Sequence, residues 1–213
     1  MSTDRISGIQ WLGHDGFVFT STEGIVVLID PFQVAAAPQA DLMLITHVHH
    51  DHCSPEDIAR LVKPSTVIVT EAESAEKLTS LCGDIRVVIP GDRLTVCGIH
   101  IEAVPAYNVD KKFHPKAKNW LGFILTIDGK RIYHAGDTDL IPEMKGFSVD
   151  IALLPVSGTY VMTAEEAVAA ARLINPKTVI PMHYDTIVGS LDDAREFAAA
   201  LDGSMEVAVL ERR

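Results

Sequence analysis

Two β-sheets packed face to face with helices on both outer sides, a four-layer αββα sandwich of the α/β class, is the architecture this chain points to. Short β-branched runs alternate with segments that carry helix caps. The run Thr46-His47-Val48-His49-His50-Asp51-His52 places four histidines and a carboxylate directly after the apolar stretch Leu42-Met43-Leu44-Ile45. Asp137 and His183 each follow another short apolar run. Polar side chains gathered at three strand ends are what a site along the edge of a sheet sandwich requires.

In chain order, strands are expected at 8–12, 17–20, 25–29 and 42–45, with glycine and charged residues between the early ones. A helix opens after Ser54, whose hydroxyl can cap it, with Pro55 at the first helical position and Asp57 as an imperfect capping box. The β-branched run 66–70 reads as a strand and 72–81 as a helix. Strands follow at 86–89, 94–96, 99–104, 122–127 and 131–133, the last two joined by Asp128-Gly129, a tight-hairpin pair. After a strand at 151–155, Thr163-Ala164-Glu165-Glu166 forms a capping box for an alanine-rich helix to about 174. A strand at 178–181, a helix at 192–201 and a strand at 207–210 close the chain. No repeat, low-complexity tract or linker is visible, so residues 1–213 are expected to form one domain.

With 213 residues, 47% of them hydrophobic, the chain can bury a sizeable core without disulfide or metal staples. Its formal net charge of -11 argues against a general nucleic-acid or anionic-membrane partner. Lys111, Lys112, Lys116 and Lys118 nevertheless cluster, as a local patch for an anionic small-molecule substrate or as a solvated loop. Cys53, Cys82 and Cys97 make no Cys-x-x-Cys pair, which favours a reducing compartment, and Cys53 reads as a small buried residue. No apolar run reaches the ~20 residues of a membrane span. Met1-Ser2-Thr3-Asp4-Arg5 leads into no signal-peptide core, so a cytoplasmic protein is expected, with self-association left open.

Neutral imidazoles and a carboxylate suit zinc and neighbouring first-row divalent ions. On a loop leaving a strand, His47 and His49 point the same way and can share one ion, while Asp51 and His52 can turn toward a second. The HxHxDH signature at 47–52, Gly136-Asp137-Thr138 and Pro181-Met182-His183 together resemble the metallo-β-lactamase superfamily of metal hydrolases, in the superfamily's order. Trp11-Leu12-Gly13-His14 and Leu28-Ile29-Asp30-Pro31-Phe32 look like the branch holding the ascorbate-phosphate lactonase and the N-acyl-phosphatidylethanolamine phospholipase D.

The resemblance implies a sandwich of two similar halves and two divalent ions, zinc first and manganese second. His47 and His49 would hold one ion, Asp51, His52 and His183 the other, and Asp137 would bridge them. The pattern departs at Pro105-Ala106-Tyr107-Asn108, where an asparagine stands in place of a third histidine for the first ion. His114 is favoured over Asn108 there, because an amide oxygen is a poor zinc ligand beside imidazole. The activity implied by the resemblance is that of a dinuclear metal-dependent hydrolase, using a metal-bound hydroxide on an ester, lactone or phosphodiester. A sugar-acid phosphate lactonase and a non-catalytic metal-binding module are the alternatives. Asp51, His14 and Tyr160 are the candidate catalytic residues: His14 contacts substrate or holds a structural hydrogen bond, and Tyr160, like Tyr107, donates to a developing oxyanion or simply packs. His50 reads as a support behind the ligands or as exposed, His100 as outward-facing, and His134 as structural.

Overall fold

The computed structural model describes residues 8–213, so the Met1 to Arg5 stretch read for a leader lies outside the described residues. The first sheet holds β1 (Ile9–Gly13), β2 (Gly16–Thr20), β3 (Val26–Ile29), β4 (Leu42–Leu44), β5 (Val67–Thr70) and β6 (Asp84–Val87), side by side in chain order. The second holds β7 (Arg93–Val96), β8 (Ile99–Pro105), β9 (Leu121–Ile127), β10 (Lys130–His134), β11 (Ile151–Pro155), β12 (Thr178–Met182) and β13 (Glu206–Val207), again in order. Each sheet begins antiparallel and turns parallel, from β3 in one and from β10 in the other. Parallel neighbours need crossovers, and helices supply four of them: α1 (Pro55–Leu61), α2 (Ala72–Leu78), α3 (Ala164–Ile174) and α4 (Leu191–Leu201). None of the described helices is long and apolar enough to cross a membrane.

The four layers follow from period-2 alternation within single strands. Phe17 and Phe19 of β2, Val27 and Ile29 of β3, and Leu42 and Leu44 of β4 join the core shared with the second sheet. Between them, Val18, Leu28 and Met43 face the other way and pack with Ile58 and Leu61 of α1 and Leu78 of α2. On the far side, α3 and α4 pack together and on β11 and β12, burying Ala167, Ala171, Ala194 and Phe197.

Local chemistry sets the boundaries. Ser54 caps α1, and Thr163 and Glu166 form the reciprocal capping box of α3, Thr163 N donating to Glu166 Oε2 (2.8 Å) and Glu166 N to Thr163 Oγ1 (3.1 Å). Asp128 and Gly129 both take positive φ (50° and 73°), as the Asp-Gly hairpin requires. Asp128 also accepts hydrogen bonds from Thr22 N and Oγ1, which ties the β9–β10 turn to the β2–β3 turn of the other sheet.

The strand expected at 207–210 stops at Val207. Beyond it the chain leaves the sheet and crosses to β1, where Arg213 N donates to Trp11 O (3.0 Å) and Arg212 Nε to Leu12 O (3.0 Å). Two 3-10 turns, Lys116–Lys118 and Pro142–Gly146, interrupt segments read as loops, and a proline fixes the start of each.

Gly136 takes φ +61°, and a Cβ there would lie 2.6 Å from the Leu121 carbonyl oxygen. Gly129 shares the positive φ but has open space around it. Gly136→Ala should therefore cost more than the roughly 1–3 kcal/mol of backbone strain alone, and Gly129→Ala no more than that strain. Urea midpoints of the two variants measured side by side test this, and equal midpoints would remove the argument from close packing.

Candidate metal centre

β4, β10 and β12 deliver the site from two sheets. The loop leaving β4 makes a tight turn, with His52 N and Cys53 N both donating to His49 O (3.1 and 2.7 Å), and this brings His47, His49, Asp51 and His52 together. Across the sandwich edge, Asp137 follows β10 and His183 follows β12. His183 is held at φ +60° and donates its N–H to His14 O. Three overlapping groups could hold metal ions: His47, His49, His114 and Asp137; His14, Asp51, His52 and His183; and Asp15, His52, Asp137 and His183.

Asp137 lies between them. Its Oδ2 is 3.1 Å from His114 Nε2 and 3.9 Å from His47 Nε2, and its Oδ1 is 3.3 Å from His52 Nε2 and 3.4 Å from His183 Nε2. His49 Nδ1 is 2.9 Å from His47 Nε2, and Asp51 Oδ2 is 3.8 Å from His52 Nε2.

Four of the imidazoles are held from behind. His47 Nδ1 donates to Thr46 Oγ1 (2.9 Å), whose own hydrogen goes to Asp30 Oδ2 (2.5 Å). His52 Nδ1 donates to the same Asp30 Oδ2 (2.8 Å), His114 Nδ1 to Asn108 Oδ1 (3.1 Å) and His183 Nδ1 to Ser157 Oγ (2.9 Å). With Nδ1 committed to these partners, Nε2 is the ring nitrogen left to serve a metal ion once it carries no proton, and each Nε2 points inward. The Nε2 atoms of His52, His114 and His183 and Oδ1 of Asp137 are buried without a hydrogen-bond partner. Buried polar atoms ordinarily find partners, so this inward set fits a cation.

The electrostatics agree. Burial alone would raise the Asp137 carboxyl, yet the imidazoles of His183 and His52 hold it well below the usual carboxylate range. Against their own burial, Asp137 lifts His52 well above an ordinary imidazole and His183 up to about 9. Burial pushes His47 well down, with His52 adding to it, and pushes His14 down to about 4 despite Asp51. Asp51 stays low against its burial because His14 donates to it. Burial drives Asp15 well up, and neither of its oxygens has a hydrogen-bond partner. A carboxylate neutralised only by protons on adjacent rings is a place where a divalent ion can take over that charge.

Each candidate from the sequence has a definite place. His14 is fully buried at φ +52°, its Nε2 3.1 Å from Asp51 Oδ2. His114 is the donor that reaches Asp137. Asn108 is turned away, its Nδ2 donating to Asp139 Oδ1 and Tyr160 O while its Oδ1 serves His114. Tyr160 is partly exposed with its ring edge-on to Phe113 at 4.5 Å, whereas the Tyr107 hydroxyl donates to Glu143. His50 and His100 are exposed, and buried His134 bonds Asp15 O and Gly136 N. The lysine cluster is largely neutralised: Lys111 pairs with Asp139 (2.7 Å), Lys116 with Glu143 (2.8 Å) and Lys118 with Glu73 (2.6 Å).

Sequence reasoning did not find Asp30, Thr46, Ser157 or Asp139 as parts of the site. Asp30 left a signal, an Asp-Pro pair at a strand end. So did Asp139, two residues after Asp137, which accepts from Asn108 Nδ2, Val109 N and Lys111 Nζ and so fixes the loop that presents His114.

A match to the Beta-lactamase superfamily domain covers residues 8–183. The UPF0173 metal-dependent hydrolase of Thermococcus kodakarensis is 33% identical over 95% of this chain and 96% of its own length. Among solved structures, a candidate metal-dependent hydrolase from Parabacteroides distasonis superposes with a TM-score of 0.84 at 38% identity, covering 96% of this chain and 93% of that one. A candidate Zn-dependent hydrolase of the metallo-β-lactamase superfamily from Thermotoga maritima gives 0.66 at 26% identity, covering 95% and 97%. Because the domain match runs from β1 through His183 and takes in every donor described above, the chain belongs to the metallo-β-lactamase superfamily.

Proposed function

We propose that residues 1–213 act as one metal-dependent hydrolase domain holding two divalent ions, with zinc best suited to the imidazole and carboxylate set and manganese next. His47, His49 and His114 would hold one ion, Asp51, His52 and His183 the other, and Asp137 both. The observation that carries this reading is the Asp137 carboxylate, which turns one oxygen to His114 and His47 and the other to His52 and His183. When bound, such a pair of ions supplies Lewis acidity and a nucleophile from water, whose pKa falls toward ~7 on coordination.

The chain's own residues supply position. Asp30, Thr46, Asn108 and Ser157 fix the rings, and His14 fixes Asp51 through its Nε2–H. Burial of His52, Asp137 and His183 keeps bulk water off the donors. Tyr160, partly exposed on a loop tied to Asn108, would donate to an oxyanion that develops on the substrate. An ester, a lactone or a phosphodiester fits this chemistry, in a small molecule.

Elemental analysis of the purified chain should find close to two divalent ions, and chelation should abolish hydrolysis in a screen of ester, lactone and phosphodiester substrates. Asp137→Ala should lose both ions. A chain that takes up no metal and gains no activity on metal addition sinks the proposal.

The rings test the individual donors. His114→Ala should lose one ion, while Asn108→Ala, which frees the His114 ring, should weaken one ion on the order of 10–100-fold. The reverse order in metal titrations would make the amide the ligand.

Proton linkage supplies a further test. His183 rises up to about 9 and His52 is also raised, so both carry protons at neutral pH that metal uptake must displace. Affinity should therefore climb as pH rises from neutrality toward about 9. Calorimetry in buffers of different ionisation enthalpy measures the protons released, and uptake without release between roughly pH 6 and 8 contradicts the assignment.

A further inference from the structure

The donors reach solvent through half-buried His49 and Asp51. The loops that follow β8, β11 and β12 carry exposed apolar side chains: Val109 (65% exposed), Phe113 (52%), Tyr160 (37%) and Ile187 (44%). Single exposed hydrophobics are ordinary. These four differ because Val109 and Phe113 sit on the loop that presents His114, Ile187 on the loop that follows His183, and Tyr160 on the β11–α3 loop that braces both. Phe113 precedes His114 and packs edge-on against Tyr160 at 4.5 Å. The Tyr160 carbonyl takes the Asn108 Nδ2 bond (2.8 Å), and Asn108 orients His114. Ile187 lies between His183 and Gly189, and Gly189 abuts Ser157 so closely that a Cβ would come within 2.6 Å of the Ser157 Cβ. Ser157 in turn holds His183.

The charges nearby point the same way. Lys111, Lys116 and Lys118 are spent on Asp139, Glu143 and Glu73, which leaves Lys112 as the one lysine of that segment without an ion-pair partner among the described residues. A phosphorylated or carboxylated arm would meet little uncompensated positive charge here, while a hydrocarbon arm would cover aromatic and aliphatic surface that otherwise faces water.

We propose that Val109, Phe113, Tyr160 and Ile187 form a subsite for an uncharged hydrocarbon arm of the substrate, running outward from a scissile bond at the metal centre. The proposal rests on the hydrolase reading above and adds the class of substrate to it.

Binding without turnover tests it on the zinc-loaded full chain, with acetate, butyrate, hexanoate and octanoate titrated by calorimetry. Affinity should rise by up to about fourfold per added methylene, the ratio that corresponds to ~0.8 kcal/mol of burial, until the arm outgrows the rim. Suberate, which matches octanoate in length but ends in a second carboxylate, should lose most of that gain. The octanoate-to-acetate affinity ratio should fall several-fold in Phe113→Ala and in Ile187→Ala, and taking the ratio within each variant cancels any change in the centre itself.

Affinity that does not depend on chain length overturns the subsite, as does suberate binding as tightly as octanoate, which would indicate an anionic arm. Self-association abolished by Phe113→Ala would put a second copy on the rim and overturn it too. Turnover of γ-butyrolactone and γ-nonalactone separates the two readings. Length-dependent binding with no hydrolysis of any ester, lactone or phosphodiester counts against the hydrolase and supports the subsite; hydrolysis with flat binding does the opposite.

Discussion

The carboxylate of Asp30 is the contact on which the rest of the centre depends. It is fully buried, held at φ +42° just past the end of β3, and its Oδ1 accepts Thr46 N (2.8 Å) while Oδ2 accepts both Thr46 Oγ1 and His52 Nδ1. Thr46 passes the constraint to His47, so one side chain orients a ring in each of the two donor groups. Left-handed backbone in a non-glycine residue costs energy, and the surrounding β3–β4 pairing holds it in place: Asp30 N donates to Leu44 O (3.1 Å). Removing the carboxylate would leave three buried donors short of a partner, each at roughly 1–3 kcal/mol. The histidine-rich loop is therefore not self-sufficient, since its geometry is borrowed from the neighbouring strand.

Much of the fold was legible because its determinants are local. The capping box at Thr163, the cap and proline at Ser54-Pro55, and the Asp128-Gly129 turn each occupy a few residues, and the structure places an element boundary at each. The four candidate donors of the β4 loop stood out for the same reason, since a strand end followed by His-x-His-x-Asp-His is a contiguous string. What stayed hidden depends on distance along the chain. Ser157 meets His183 and Asp139 meets Asn108 across 26 and 31 residues, and no spacing rule connects them. The pairing of the lysines was equally invisible: a run rich in lysine reads as a basic patch until Glu73, Asp139 and Glu143 arrive from elsewhere. Asn108 is the instructive case. Its position where a third histidine is expected was visible, but only the folded loop shows that its amide orients His114.

The two halves of the molecule also explain why no repeat was visible. Both sheets run in chain order and both change from antiparallel to parallel pairing. That path can be kept while side chains diverge, because strand pairing needs only alternation and backbone hydrogen bonds. The proposed donors are not shared equally: the β4 loop would supply four, the ends of β10 and β12 one each, and the loop after β8 the last. Supports come from both halves, Asp30 and Thr46 from the first and Asn108, Asp139 and Ser157 from the second.

Trp120, just before β9, packs against three of the imidazoles, with ring centroids 4.9 Å from His47, 4.7 Å from His49 and 5.4 Å from His114. The chain has only one other tryptophan, Trp11, and that ring stacks on Tyr184. An indole ring attracts positive charge placed against its face, and Lys118 Nζ also lies 6.0 Å from the centroid of this ring. Any change of charge on those three rings therefore falls against a single indole, the wall that they share.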